Sequence, residues 1–362
     1  MRRIFPYISV FVLSLAFVAC TRIDKPQDRA IKLYFASDNL QVETKAEAEA
    51  FGSAPTKETP FTAEVWFSLT KGKYEHNPSA NEELSIPAKV PVTFTSTQAT
   101  DAILSGKNLL YPLDPTPDKT QQDPVYCVGL YPGESPGDPG WSYELIDNSK
   151  TKFTHTINGS QDLMFADQLK GSYNVNFAPQ NYKHLLTWVK VNASATSAEA
   201  AKVWGQVTGL SVGSRESSVE VIVSGDSDTE IADSDTEIAF SGDTLAIAAK
   251  DVPGKNPKGL SVIGQTVASL FCSGPYTEVI NSNNSSDPLG YWITVSTDKI
   301  TDAKSVFVPI TWDSGISVQD RDPKGKLFII NLYFNEVSVV SGVCTLHYWE
   351  DTAEDLYLGK QQ

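Results

Sequence analysis

Cys20 is the residue whose position could carry covalent chemistry. Residues 15–19, which precede it, read Leu-Ala-Phe-Val-Ala and resemble a lipobox. A cysteine in such a box is lipidated through a thioether, the chain is cut before it, and the new amino group is acylated. The basic Met1-Arg2-Arg3 and the apolar segment after it are typical of a secretory signal peptide. We expect residues 1–19 to be removed, Cys20 to be lipidated, and residues 20–29 to form a lipidated tether. The alternative is an ordinary signal peptide that happens to contain a cysteine.

Catalytic constellations are missing from the sequence. No GxSxG, HExxH or GxxxxGK[ST] motif occurs, and nothing singles out a carboxylate pair suited to glycoside hydrolysis. His184 shares a face with Leu186 and Trp188 in an alternating run, which favours a satisfied strand histidine over a base or a ligand. We predict no enzymatic activity, no metal site and no cofactor. The histidines are scattered, at positions His76, His155, His184 and His347.

Three further cysteines follow Cys20, with no CxxC spacing among them. An exported protein can form disulfides. Because Cys272 and Cys344 both fall in the C-terminal half, they are the pair we would join if a disulfide forms. Cys127 lies in an apolar run and is interpreted as a small buried filler.

Charge excludes one class of partner. The net charge is −15, and removal of Arg2 and Arg3 with the signal peptide would make it −17. Nucleic acids attract basic surfaces, so an acidic chain of this kind does not fit a nucleic-acid-binding protein. The same charge keeps the exported part soluble while a lipid does the anchoring.

Alternating and β-branched segments dominate the chain after residue 29. Residues 30–35 put Ile31, Leu33 and Phe35 on one face, which predicts a half-buried strand. Many such segments alternate with turn-rich links, and no long amphipathic helix is present, so we predict an all-β fold of tandem β-sandwiches. A length of 362 residues suggests about two domains at ~150 residues each. We place the N-terminal β-sandwich domain at 30–170 and the C-terminal one at 171–362.

An acidic heptapeptide, Asp-Ser-Asp-Thr-Glu-Ile-Ala, occurs at residues 226–232 and again at 233–239. Its carboxylates could suggest a Ca²⁺ loop, but the glycine and the spacing of an EF-hand are missing. We therefore favour an exposed acidic hairpin or loop, and cation binding stays open.

Several segments follow one another in order along most of the chain. They are Phe17-Val18-Ala19-Cys20, the strand at residues 30–35, Glu43-Thr44-Lys45-Ala46, Asp162-Leu163-Met164-Phe165-Ala166, and residues 175–177 leading into 182–191. Together they resemble the fimbrillins, the type V pilus subunits of Bacteroidales, and their fimbrillin-like lipoprotein relatives.

The resemblance implies two transthyretin-like sandwich domains and assembly by strand exchange at the cell surface. In the fimbrillins, a lipoprotein crosses to the outer membrane, and a trypsin-like protease removes the lipidated segment with the first strand. The opened groove then accepts a strand from a neighbouring subunit. The corresponding cut here would fall between Lys45 and Ala46, where the stalk subunits of the family usually have arginine. A cut at Arg29 would leave the first strand in place and is less favoured. The displaced residues would be Ile31, Leu33 and Phe35.

The C-terminal segment is the expected donor strand, with Leu346, Tyr348 and Leu356 as its apolar plugs. The expected partners are neighbouring pilus subunits, the outer membrane through the Cys20 lipid, and an adhesion target on a host or bacterial cell. An uncleaved relative would instead keep its lipid and act as an anchor, a minor subunit or a tip subunit.

A monomeric surface lipoprotein that binds glycans or nutrients is the alternative function. Aromatic side chains could line a sugar platform. Trp66, Trp188 and Trp292 lie in apolar runs and are predicted to be core residues, whereas Trp141 lies in a Gly/Pro-rich loop and is the expected exposed candidate. The two functions differ in the first strand, which a pilus subunit should lose and a monomeric binding protein should keep.

Overall fold

The structure, a computed structural model, describes thirteen stretches of the chain. They are residues 30–37, 55–75, 86–104, 106–112, 124–135, 140–173, 175–225, 235–248, 259–277, 289–300, 302–311, 324–337 and 340–348. Within these stretches, no helix is long and apolar enough to cross a membrane.

Strands make up nearly all of the regular structure, which confirms the all-β prediction. The strands are β1 (Lys32–Leu33), β2 (Phe35–Ser37), β3 (Phe61–Ser68), β4 (Ala88–Phe94), β5 (Thr100–Asp101), β6 (Ile103–Leu104), β7 (Lys107–Asn108), β8 (Val125–Tyr131), β9 (Ser142–Asp147), β10 (Lys150–Thr156), β11 (Met164–Gly171), β12 (Gln180–His184), β13 (Thr187–Ala195), β14 (Val207–Ser214), β15 (Ser218–Ser224), β16 (Thr236–Ser241), β17 (Leu245–Ala248), β18 (Gln265–Cys272), β19 (Tyr276–Thr277), β20 (Leu289–Thr297), β21 (Lys304–Thr311), β22 (Lys326–Phe334) and β23 (Val340–Tyr348). The helix of the described chain is α1 (Ala198–Trp204).

A six-stranded sheet with the order β2-β12-β11-β8-β3-β4 lies between two apolar layers. On β3, Phe61 and Val65 face one core, whereas Trp66 faces the other. A strand buried on both faces reads as a continuous apolar run rather than an alternating one, as the segment Phe-Thr-Ala-Glu-Val-Trp-Phe does. The sheet is antiparallel except where β2 runs parallel to β12 at its edge.

A four-stranded sheet, β16-β15-β10-β9, covers one face of the six-stranded sheet. Here the alternation is regular: Val219, Val221 and Val223 of β15 are buried and the residues between them are not. Phe153 of β10 joins them and packs its ring 5.3 Å from Trp66. β9 closes the sheet as an edge strand whose six residues are all exposed.

The second half of the chain forms a nine-stranded sheet with the order β17-β14-β20-β21-β23-β22-β13-β18, in which β19 also pairs with β20. The pairs β13–β22 and β21–β23 are parallel. The helix α1 begins at Ser197, whose hydroxyl accepts a hydrogen bond from the Ala200 N–H, and ends at Gly205, which has a positive φ. Its buried Trp204 donates its indole N–H to the carbonyl oxygen of Asn335 at 2.7 Å.

Strand pairing crosses the predicted domain boundary at residues 170/171. β12 lies after the boundary and pairs with β11, and β15 lies after it and pairs with β10. Within the run 182–191, the chain passes from the six-stranded sheet to the nine-stranded sheet after His184. The division into 30–170 and 171–362 therefore stays a prediction, while the hydrogen-bonded sheets are interleaved along the sequence.

The acidic repeat is described only from Asp235 onwards. Residues 226–234 lie outside the described chain, and Thr236 to Ala239 belong to β16. Asp235 is buried and forms an ion pair with Lys71 at 2.8 Å. The second copy of the repeat therefore contributes one structural carboxylate and part of a strand.

Candidate functional site

The first strand, which comprises β1 and β2 within residues 30–37, fills an apolar groove at the edge of the six-stranded sheet. Ile31, Leu33 and Phe35 are all buried, whereas Lys32 and Tyr34 between them are partly exposed. This is the period of two that the sequence shows. The three side chains belong to the smaller of two hydrophobic cores, the one that also contains Phe61 and Val65 of β3.

Backbone hydrogen bonds hold this strand along both of its halves. The Ile31 N–H donates to the Leu109 carbonyl oxygen at 2.8 Å, and the Ile31 carbonyl accepts from the Ala102 N–H at 3.0 Å. Further along, the Tyr34 carbonyl accepts from the Gln180 N–H at 2.8 Å. β2 then runs parallel to β12. In the described chain it is the only strand that pairs with this edge of β12.

Aromatic rings line the groove where Phe35 enters it. The Phe35 ring centroid lies 4.8 Å from that of Phe61, 5.7 Å from that of Phe94 and 5.7 Å from that of Tyr182. The Phe61 pair is edge-to-face and the Tyr182 pair is stacked, two arrangements that aromatic rings prefer. Phe35 is therefore held by three aromatic neighbours.

A small polar network closes the floor of the groove. The Tyr182 hydroxyl donates to Oε1 of the buried Gln180 at 2.9 Å, and Gln180 Nε2 donates to Cys127 Sγ at 3.7 Å. Burial, with the Cys127 sulfur nearby, raises the pKa of Tyr182 well above its usual value, so the phenol stays protonated. The ring lies against Gly129, where a Cβ would overlap the hydroxyl. This network was not predicted from the sequence, although Gln180 and Tyr182 share one strand face.

A buried contact between a histidine and a carboxylate fixes the other end of β12. His184 Nδ1 lies 2.6 Å from Asp162 Oδ2, and the two side chains are only 4% and 1% exposed. Asp162 stands two residues before β11, and His184 pairs with Met164 at the start of that strand. Burial, together with the Asp162 charge, raises the pKa of Tyr131 to about 12. His184 is thus a partnered strand histidine, and its partner was missed because it is distant in sequence.

Most of the residues predicted to be processed lie outside the described chain. Cys20, Arg29, Lys45, Ala46 and Leu356 all belong to this group. Their assigned roles in lipidation, cleavage and strand donation stay predictions.

The other two predicted donor residues lie in a paired strand. Leu346 and Tyr348 belong to β23, where they pair with Phe328 and Lys326 of β22. On its other side β23 pairs with β21. A donor function of these two residues would require β23 to leave the middle of the nine-stranded sheet, and it stays a prediction.

In place of the predicted disulfide, the structure has Cys272 and Cys344 as separate buried free thiols. Burial raises the pKa of Cys272 to about 12 and raises that of Cys344 as well, with Cys272 adding to the second shift. Cys127 is also a buried free thiol, in line with its interpretation as a core filler. Among the described residues, no group of three or more His, Cys, Asp or Glu is placed to hold a metal ion.

Two tryptophans lie in the opposite environments to those expected from the sequence. Trp141, the expected exposed residue, is 2% exposed and packs 5.1 Å from the His155 ring. Trp292, expected in the core, is 42% exposed. The correction for Trp292 follows from alternation, because Tyr291 and Ile293 on either side of it point inward.

Comparison with known proteins found similar solved structures of low sequence identity. No family model matches the chain, and no curated protein matches it. A proposed cell adhesion protein from Bacteroides uniformis is 12% identical with a TM-score of 0.49, over 89% of this chain and 99% of that one. Another from Bacteroides ovatus is 15% identical with a TM-score of 0.41, over 89% and 98%. A proposed polysaccharide-binding protein from Bacteroides thetaiotaomicron is 10% identical with a TM-score of 0.41, over 89% and 98%.

Proposed function

We propose that the protein is a structural or accessory subunit of a cell-surface fimbria, exported as a lipoprotein and assembled by β-strand exchange. In this proposal the segment up to Lys45 is removed together with the first strand. A strand of a neighbouring subunit then occupies the groove. The observation that carries the proposal is the burial of Ile31, Leu33 and Phe35 at a sheet edge.

An emptied groove would strongly favour a replacement strand. Burying a Leu, Ile or Phe side chain contributes about 1.5–3 kcal/mol, so the three together contribute on the order of 5–9 kcal/mol. Removal would also leave the edge of β12 without its backbone partner. An incoming extended segment with apolar residues at alternate positions could satisfy both needs.

The position of the strand suits it to exchange. It occupies residues 30–37, and β3 begins only at Phe61, so the connection contains a long stretch in which Lys45 lies. Removal of residues 30–37 breaks two short strand pairs, β1–β5 and β2–β12, and leaves the rest of the six-stranded sheet hydrogen-bonded. A central strand such as β23 could not be removed at so small a cost.

The alternative, a monomeric surface lipoprotein that keeps its first strand, makes the opposite prediction about processing. A sharp test compares three forms of the full chain expressed in a fimbriated host: wild type, Lys45→Ala and Lys57→Ala. Lys57 is an exposed lysine and serves as the matched control. We expect high-molecular-weight polymers from wild type and Lys57→Ala, and monomers that retain residues 30–37 from Lys45→Ala. Polymers of Lys45→Ala with the first strand still attached would contradict strand removal.

A further inference from the structure

One face of the nine-stranded sheet carries an exposed indole on a strip without charged residues. Trp292 points outward from β20, and it pairs in register with Phe307 of β21. The outward positions of β14, β20 and β21 that share this face are Gly, Ser, Thr, Pro, Phe and Trp. One in five residues of the whole chain is charged, so a strip of this composition on an exposed face is distinctive.

Phe307 packs against the indole, and Gly290 leaves room for the Phe307 ring. The Phe307 ring packs edge-to-face against Trp292 with the centroids 5.4 Å apart. A Cβ at Gly290 would collide with that same Phe307 ring, so the glycine makes room for it. An aromatic side chain that is fixed by its neighbours loses little conformational entropy when a ligand stacks on it.

Small residues and hydroxyl groups flank the indole. Ser211 and Gly209 lie on β14, next to Thr294 and Ser296 of β20 in the register of the two strands. None of them is large enough to cover the neighbouring ring. Thr294 Oγ1 lies 2.8 Å from Ser305 Oγ, and each hydroxyl retains further capacity to donate or accept.

The charge pattern selects the class of ligand. An acidic chain of net charge −15 repels anionic polymers, and the strip offers no carboxylate group to pair with a cationic one. A neutral ring with an apolar C–H face and hydroxyl groups at its rim matches an indole beside serine and threonine hydroxyls. A neutral pyranose has this chemistry.

We propose that this strip is a binding site for neutral saccharides, with one pyranose ring stacked on Trp292. The hydroxyls of Ser211 and Thr294 hydrogen-bond the rim of the sugar. This site lies on a different sheet from the first-strand groove and does not depend on strand exchange.

Affinity electrophoresis of the mature chain with Cys20→Ser tests the proposal. The probes are neutral polysaccharides (starch, mannan, xylan and a mixed-linkage β-glucan), with polygalacturonate as the anionic comparison. We expect at least one neutral polysaccharide to retard the protein, and Trp292→Ala to weaken that binding by about tenfold or more. Trp292→Phe should retain part of the binding that Trp292→Ala loses. Tyr333→Ala, which removes a 39% exposed aromatic residue from another strand, is the matched control and should bind as wild type does.

Three outcomes would overturn the saccharide site. They are the absence of retardation by every neutral polysaccharide, equal retardation of Trp292→Ala and wild type, and preference for polygalacturonate. Sedimentation velocity of the same variants completes the test. A self-association that Trp292→Ala abolishes, without any saccharide binding, would show that the strip docks a second copy of this chain instead.

Discussion

Replacing Phe35 by alanine should release the first strand from its groove. Phe35 is 3% exposed and contacts the rings of Phe61, Phe94 and Tyr182. Truncating a buried Phe to Ala costs about 3–5 kcal/mol. Since each 1.4 kcal/mol corresponds to a factor of ten, the strand should be held about a hundredfold to several thousandfold more weakly.

The assay separates the strand from the rest of the chain without removing it. A unique protease site is inserted between Lys45 and Ala46 in the Cys20→Ser mature chain, which is folded and then cut. The N-terminal piece is now held only by non-covalent contacts, and native mass spectrometry follows its loss over time. We expect slow loss from wild type and rapid loss from Phe35→Ala.

Phe328→Ala supplies the matched control, because Phe328 is a fully buried phenylalanine of β22 in the nine-stranded sheet. It should lower the free energy of unfolding by a similar amount and leave retention of the N-terminal piece unchanged. Equal retention by Phe35→Ala and wild type would refute the view that the apolar side chains anchor the first strand.

Further predictions concern the groove floor, the buried His184–Asp162 contact and a core thiol. Gly129→Val should push the Tyr182 ring from its place and destabilise the protein by about 1–3 kcal/mol, as measured by urea unfolding. Asp162→Ala removes the carboxylate that contacts the buried His184 ring and should cost about 1–3 kcal/mol in the same assay. Because burial raises the pKa of Cys272 to about 12, its thiol should not react with iodoacetamide at pH 8 until urea unfolds the chain.

Each of these predictions has a clear contrary result. A Gly129→Val variant as stable as wild type would mean that Tyr182 does not fill the space above the glycine. An unchanged urea midpoint for Asp162→Ala would mean that the His184–Asp162 contact does not stabilise the protein. Mass spectrometry that finds alkylated Cys272 in the folded protein would show that this thiol is accessible.

Local alternation predicted the features that depend on one strand alone. Residues 30–35 indicated that Ile31, Leu33 and Phe35 share a buried face, and the structure buries all three. The same rule applied to residues 291–293 would have placed Trp292 outward, between two inward side chains. The apolar composition of that run concealed the alternation, which is why a core position was expected.

Features that depend on distant partners could not be predicted in this way. Trp141 is buried because His155 and neighbouring side chains pack against its loop, and a Gly/Pro-rich segment carries no sign of that contact. The pairing of β15 with β10 joins residues some seventy positions apart. Loop composition and length do not reveal such a return of the chain to an earlier sheet.

The most direct test of strand exchange is the N-terminal sequence and mass of the wild-type protein isolated from the cell surface. The proposal predicts a chain that starts at Ala46 and occurs in high-molecular-weight polymers. A lipidated chain that starts at Cys20 and is monomeric would contradict the polymerising subunit. That result would favour a lipoprotein that keeps Ile31, Leu33 and Phe35 in its own groove.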